Sequence, residues 1–264
     1  MTRPIRRITH GRSVASTELS SGSRVHVVAH GTRSATPEHS HACASLSLVL
    51  TGSFRESRLG EVEHCGTLDV LFKPAGFPHA SVTGAVPTRT VTVELDPGAL
   101  PNELTGVEHV VHTRGGPGAA AMLAIVESFT DGAAGETVTV EDALREVARV
   151  ARSAGDSGSS LSPAKAQLAR RASVRRAAEA VAMHPVSFAR AFRARFGCAP
   201  TDYRRRHQVA AAAAVLPESK GGLAAVAFDA GFADQAHLTR AFRRETGLTP
   251  GAYRSLIARL FAGT

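Results

Sequence analysis

The last hundred residues of the chain repeat themselves at an offset of 50. Arg190-Ala-Phe-Arg193 recurs as Arg240-Ala-Phe-Arg243, and Gly197, Pro200, Tyr203 and Arg204 recur as Gly247, Pro250, Tyr253 and Arg254. Between 188–204 and 238–254, 8 of 17 positions are identical. Two basic helices that matched by accident would not also keep a glycine, a proline and a tyrosine in register. The segment is therefore an internal duplication of one supersecondary unit, and its folding must bring two copies of that unit together.

Each copy has the layout of a helix-turn-helix: a short apolar helix, a tight turn and a second helix. In the second copy, at about 223–245, residues 223–230 form the leading helix and Gly231 supplies a turn residue for which positive φ is cheap. Phe232 is placed to plug the core, and Asp234 is a good N-cap for the helix that follows. Along that helix Leu238, Ala241 and Phe242 recur at i, i+3 and i+4 as an inward stripe. Its outward face then carries Gln235, Ala236, Thr239, Arg240 and Arg243. Arginine can grip guanine bidentately, glutamine can pair with adenine and threonine can offer a methyl or a hydroxyl, so these residue types suit reading of the major groove. In the first copy, at about 173–195, residues 175–181 lead and residues 185–195 read. Phe188, Ala191 and Phe192 turn inward; Val186, Ala189, Arg190 and Arg193 turn outward. Val181 stands where the second copy has Gly231, which leaves the first turn without its glycine.

The run from Ala224 through Gly231, Asp234, Gln235, Leu238, Arg240, Phe242, Gly247, Pro250 and Tyr253 to Arg254 resembles the C-terminal signature of AraC/XylS-type transcriptional regulators. The likeness covers about 163–260. It implies two helix-turn-helix subdomains joined by a long helix, here at 201–216, with two recognition helices entering successive major grooves roughly 34 Å apart. It also implies double-stranded promoter DNA and RNA polymerase as partners, with activation the commoner outcome and repression open.

Charge agrees with a polyanion partner. Residues 1–164 hold 14 lysines and arginines against 17 acids, a net −3, whereas residues 165–264 hold 17 against 6, a net +11. Phosphate contacts from such a surface would supply most of the affinity and base contacts the specificity. Arg204, Arg205 and Arg206 read either as phosphate contacts or as solvated charges.

Upstream the pattern changes. From about 24 to 95 the chain reads as short strands punctuated by Gly and Pro, with alternation over 45–51, 67–73 and 88–95, as in a β-sandwich or barrel. Residues 119–129 and 140–152 have helical spacing, with Leu144, Val147 and Val150 on one face. Residues 153–162 are small and polar and read as a flexible linker. His39 and His41, in Glu38-His-Ser-His41, and His79, in Pro74-Ala-Gly-Phe-Pro-His79, resemble the two short motifs of the cupin barrel. That resemblance implies a site where the three histidines converge on a divalent transition metal, a chemistry that imidazole ligands suit. The glutamate usual after the His-x-His pair is absent, and Cys43 or Cys65 are the candidates to replace it. Three readings stay open: a metal, a metal-free pocket that binds a small effector, or histidines kept as turn and barrel-mouth residues. Phe54, Phe72 and Phe77 are the aromatics available to stack on a ligand.

The expected fold class is thus α+β: an N-terminal cupin-like β-barrel plus a C-terminal all-α domain with two helix-turn-helix subdomains. The expected division is a sensor barrel at 1–118, a helical segment at 119–152 that packs on the barrel or dimerises, a linker at 153–162 and a DNA-binding domain at 163–264. Three cysteines, Cys43, Cys65 and Cys198, are too few for a disulfide framework. No apolar run approaches a membrane span, and the basic start leads into no apolar signal region, so a cytoplasmic protein is expected, with no membrane partner. A cupin enzyme is the main rival function; against it stand the missing glutamate and the duplicated helix-turn-helix. Three scattered cysteines cannot build the clustered zinc site of an alkylation-repair regulator, and a purely architectural DNA-binding protein has no use for the long strand-rich half.

Overall fold

A computed structural model describes residues 11–19, 21–58, 60–131, 136–153, 160–219 and 221–262. Ten strands form two antiparallel sheets among them. The strands are β1 (Arg12–Glu18), β2 (Arg24–His30), β3 (Ala35–His39), β4 (Ser45–Thr51), β5 (Ser53–Arg58), β6 (Glu61–Gly66), β7 (Asp69–Lys73), β8 (His79–Thr83), β9 (Thr88–Glu94) and β10 (Val111–Arg114). One sheet runs β1-β2-β9-β4-β7-β10 and the other β3-β8-β5-β6.

Alternation along the strands sorts side chains to opposite faces. Leu46, Leu48 and Leu50 of β4, with Val91 and Val93 of β9 and Val25 and Val27 of β2, belong to a core shared with the helices. The residues between them, Ser45, Ser47, Thr88, Thr90 and Thr92, line a polar pocket instead. The expected strands at 45–51 and 88–95 are therefore present, and β1 adds one before the expected start at 24.

Two helices follow the barrel, α1 (Gly116–Asp131) and α2 (Glu136–Ser153). α1 begins two residues before the boundary expected at 118. Their apolar stripes, Met122, Leu123, Ile125 and Val126 on α1 and Val140, Ala143, Leu144 and Val147 on α2, are buried within the protomer. Most of the expected linker, residues 154–159, lies outside the described residues, and Ser162 already opens a helix.

The C-terminal part consists of α3 (Ser162–Ala169), α4 (Val174–Glu179), α5 (Pro185–Phe196), α6 (Pro200–Val215), α7 (Leu223–Asp229), α8 (Gln235–Thr246) and α9 (Pro250–Leu260). The first copy of the duplicated unit is α4–α5 and the second α7–α8, with α6 as the joining helix. The two are packed differently. α7, α8 and α9 enter the large core with the barrel sheet and α1, whereas α3, α4 and α5 close a small core of their own around Leu168, Phe188 and Phe192. Tyr253 of α9 is fully buried and its hydroxyl donates to the Leu50 carbonyl of β4. The Arg89 guanidinium lies 4.5 Å from the ring centre of Phe261. Among the described residues no helix is long and apolar enough to cross a membrane.

A charged seam joins the barrel to α6. Asp69, buried on β7, holds Arg114 of β10, whose Nη1 donates to His207 Nδ1 on α6 at 3.0 Å. Burial alone would raise the Asp69 pKa, but His112 and Arg114 override it and bring it to about 2. Burial, then the Arg114 charge, pushes His207 down to about 4. The unfolded chain therefore protonates this imidazole from about pH 6.5, and the folded chain only near pH 4. The unfolded state binds more protons in that window, so stability falls as pH drops through it. His207→Gln, which keeps an acceptor for Arg114, should flatten the pH dependence of Tm between pH 6.5 and 4; an unchanged slope would place the titration elsewhere.

The turns of the two copies also differ. Gly231 has φ +80°, as its role requires, and in the first copy the positive φ falls on Ala182, at 52°, not on Val181. The hydrogen bonds match at an offset of 49: Met183 N to Ala178 O at 3.0 Å, Phe232 N to Ala227 O at 2.9 Å. The N-caps His184 and Asp234 match at 50, so the second turn is one residue longer. An L-residue in the left-handed region costs about 1–2 kcal/mol, partly offset by glycine's larger folding entropy. Ala182→Gly should raise stability by about 0.5–1 kcal/mol in thermal unfolding; a loss would mean that the alanine methyl packs favourably.

Candidate nucleic-acid interface and barrel pocket

The helix that carries each outward face is fixed at its N-terminus by a side-chain cap. Asp234 accepts from His237 N at 2.6 Å at the start of α8, and the His184 ring accepts from Val186 N at 3.4 Å at the start of α5. Leu238, Ala241 and Phe242 on α8, and Phe188 and Phe192 on α5, are buried, which fixes the rotation of both helices. The opposite sides face solvent. On α8, Gln235, Ala236, Arg240 and Arg243 are exposed and Thr239 is half-buried. On α5, Val186, Arg190 and Arg193 are exposed and Ala189 is half-buried. The Thr239 hydroxyl donates back to Gln235 O at 2.9 Å, so it is committed as a donor and remains open as an acceptor. His237 and Arg244 are exposed on α8 and Ser187 on α5, and the sequence reading passed over all three. Their signal was present: they lie on the polar side of helices whose inward stripe was already known.

The arginine triplet on α6 departs from both readings of the sequence. Arg205 and Arg206 are half-buried, and their guanidinium groups turn toward carboxylates. Glu245, buried near the end of α8, accepts from Arg205 Nε at 2.6 Å and from Arg206 Nε at 3.3 Å. Asp202 accepts from Arg205 Nη2 at 2.7 Å. On α2, Glu146 accepts from Arg149 Nε at 2.6 Å, and Arg149 also donates to the Gly197 carbonyl that ends α5. Arg204, too, is half-buried, with its Nε enclosed. Arg205, Arg206 and Arg149 thus tie neighbouring helices together. No local pattern could show it, because Glu245 lies about 40 positions away.

The histidine motifs converge. His39 and His79 face each other across the β3–β8 ladder, and His41 joins them just beyond β3. Their ligand atoms lie within 4.8 Å of one another and their ring centres 4.3 to 5.1 Å apart. His39 Nδ1 donates to Pro37 O at 2.8 Å and His79 Nδ1 to Phe77 O at 3.1 Å. A carbonyl can only accept, so Nδ1 carries a proton in each ring, and the neutral tautomer this selects offers Nε2 as the ligating nitrogen. Burial, then the Lys73 charge, lowers the His79 pKa to about 4, which keeps that ring neutral at neutral pH. The donor set thus fits a transition metal.

No cysteine completes it. Neither Cys43 nor Cys65 belongs to the cluster among the described residues. Cys65 is buried with Val49, Leu71 and Phe77, and burial pushes its thiol up to about 12. The carboxylate in the pocket is Glu56 of β5, fully buried and paired with Lys73 and with Arg58 Nη1 at 3.0 Å. Burial, the largest single influence, would raise its pKa; the charge and hydrogen bond of Lys73, with the charges of His79 and Arg58, together outweigh it and lower it. The enclosed space is small, about 90 Å³, and hydroxyl-rich. Of the three expected stacking aromatics only Phe54 lines it. Phe72 falls on the helix-facing side of β7, and Phe77 belongs to the small inner core with Cys65.

A family model described as a helix-turn-helix domain matches residues 177–255, a stretch that contains α5, α6 and α8. The chain therefore carries a helix-turn-helix domain over these residues. No curated protein matches the chain significantly. Among solved structures, ToxT from Vibrio cholerae O395 aligns over 92% of this chain and 99% of its own, at 9% identity and a TM-score of 0.39. ToxT from Vibrio cholerae strain SCE256 with a bound unsaturated fatty acid aligns over 91% and 97%, at 9% identity and a TM-score of 0.36. Oxalate decarboxylase from Bacillus subtilis aligns over 29% of this chain and 22% of its own, at 20% identity and a TM-score of 0.27.

Glu245→Gln would leave the half-buried Arg205 and Arg206 short of one negative charge. Breaking such a group should cost about 2 kcal/mol in chemical denaturation. Unchanged stability would show that solvent balances these charges without the carboxylate.

Proposed function

We propose that this chain, which carries a helix-turn-helix domain at 177–255, is a sequence-specific transcriptional regulator whose barrel senses a small effector or a metal. The observation that carries the reading is the pair of capped, rotationally fixed helices α5 and α8, each with an arginine-bearing exposed face. Val186, Ala189, Arg190 and Arg193 read one half-site, and Gln235, Ala236, Thr239, Arg240 and Arg243 the other. The working units are a sensor barrel ending near Arg114, the α1–α2 pair, and a DNA-binding domain from Ser162 onward.

In the barrel, His39, His41 and His79 would hold a divalent transition metal, which would supply a Lewis-acid centre inside the pocket. The Nδ1 bonds to Pro37 and Phe77 orient two of the ligating rings. Glu56 is committed to Lys73, so a fourth position would fall to water or to the effector. We assign this pocket a sensing rather than a catalytic role, because its sheet shares one apolar core with α8 and α9. A ligand there favours one arrangement of that core over another and so biases the DNA-binding half. RNA polymerase is the partner that an activator would engage. A homodimer would have to form through a surface other than the apolar stripes of α1 and α2, which are spent inside the protomer.

Fluorescence anisotropy on genomic promoter fragments against random duplex, over a salt series and with or without zinc or nickel, tests the reading. Selective binding should weaken steeply with salt. Arg190→Ala and Arg240→Ala should each cost about 1–3 kcal/mol on the specific site and each relax one base preference. If both variants bind and discriminate as the parent does, the recognition faces are assigned wrongly.

A further inference from the structure

A second cavity, of about 400 Å³, opens where the barrel, α6 and the first helix-turn-helix subdomain meet. Its walls come from β6 and β10 on one side and from α2, α3, the end of α5 and α6 on the other. The polar lining is rich in donors. The Lys165 amine stands 5.0 Å from the ring centre of Phe196, and the Arg195 guanidinium 5.5 Å from the same ring. Burial, then the neighbouring Arg195 charge, lowers the Lys165 pKa, so an anion beside the amine would stabilise its charged form. His207 Nδ1 accepts from Arg114 at 3.0 Å, which fixes the proton on Nε2 and makes that nitrogen a donor. Burial pushes the Tyr203 phenol up to about 12, so its hydroxyl also stays protonated. The carboxylate in the wall, Glu63, is already paired with Arg58 and His112. Val150 and the rings of Phe196 and Tyr203 supply apolar surface.

We propose that this cavity binds a small organic anion, a carboxylate or a phosphate monoester carried on a short apolar or aromatic body. An engineered cavity of about 150 Å³ already admits benzene, and ligand pockets begin at about 300 Å³, so a ring and its headgroup fit here. The site is separate from the histidine pocket inside the barrel. Its occupant touches the sensor half and the α3–α5 subdomain together and holds their arrangement as found. Through linkage the anion and DNA then change each other's affinity by the same factor. That regulatory consequence rests on the DNA-binding reading; the binding itself does not.

Isothermal titration of the full chain with phenyl phosphate, phenylacetate, inorganic phosphate and the uncharged 2-phenylethanol tests the proposal. At least one organic anion should bind, 2-phenylethanol should not, and inorganic phosphate should bind more weakly than phenyl phosphate. The ratio of phenyl phosphate to phenylacetate identifies the preferred headgroup. Lys165→Gln should weaken the organic anion at least tenfold, Tyr203→Phe should weaken it about threefold, and His39→Ala, in the other pocket, should leave it unchanged. Circular dichroism checks each variant, and Tyr203→Phe keeps the shape of the wall should Lys165→Gln fail to fold. The proposal is overturned if no organic anion binds, if 2-phenylethanol or inorganic phosphate binds as well as phenyl phosphate, if folded Lys165→Gln binds as the parent does, or if His39→Ala abolishes binding. Anion binding that persists in a chain unable to select DNA supports the site and removes only its regulatory role.

Discussion

Two neighbouring strands of one sheet, β4 and β9, carry opposite chemistries on their two faces, and the rest of the molecule is arranged around that division. Because successive side chains point to opposite sides, Leu46, Leu48, Leu50, Val91 and Val93 can all face the helices while Ser45, Ser47, Thr90 and Thr92 face the pocket. A slip of one residue in either strand would exchange the two sets, placing hydroxyls against α1 and leucines in the cavity. The same strands therefore hold the second helix-turn-helix subdomain in place and determine what the pocket can bind. The histidine pocket and the helix-turn-helix domain are neighbours across a single layer of backbone.

Much of the C-terminal half is legible in the sequence because its signals are local. The N-cap at Asp234, the glycine at 231 and the inward stripe Leu238, Ala241 and Phe242 lie within a few residues of what they control. The joining helix expected at 201–216 is α6, and the duplicated Tyr253 is a core residue. What escaped the sequence depends on distant partners. Arg205 and Arg206 look like surface charges until Glu245 is brought beside them, and Phe72 looks like a pocket aromatic until the parity of β7 is known. The first turn escaped for a different reason: Ala182 carries no mark of positive φ, since it adopts that conformation under the constraint of its neighbours.

The barrel shows the same contrast. His39, His41 and His79 could be picked out because two short motifs carry them, and they meet. Glu56 and Lys73 could not, because neither stands in a motif and their significance is their mutual burial. Glu56 is acceptable at that depth because Lys73 and Arg58 both pair with it, since an unpaired buried charge would carry a large desolvation cost. The hydroxyl lining had a signal in the spaced serines of β4 and threonines of β9, which are strand residues of the wrong polarity for an ordinary sandwich interior.

The small core around Phe188 and Phe192 gives the two halves of the DNA-binding domain different mechanical characters. Apolar cores decide which parts of a protein open together, and segments that share one tend to open as a unit. The second subdomain cannot loosen without disturbing the barrel sheet through Tyr253 and α1, whereas the first has a core of its own, joined to α6 through Tyr203 and to α2 by Arg149 on the Gly197 carbonyl. The helices α5 and α8 are thus mounted differently, α8 in the core it shares with the barrel and α5 in a smaller one. In the regulator proposed above, that difference would let the grip of the first helix-turn-helix on a duplex be tuned from within the protein, with no change to any residue on its outward face.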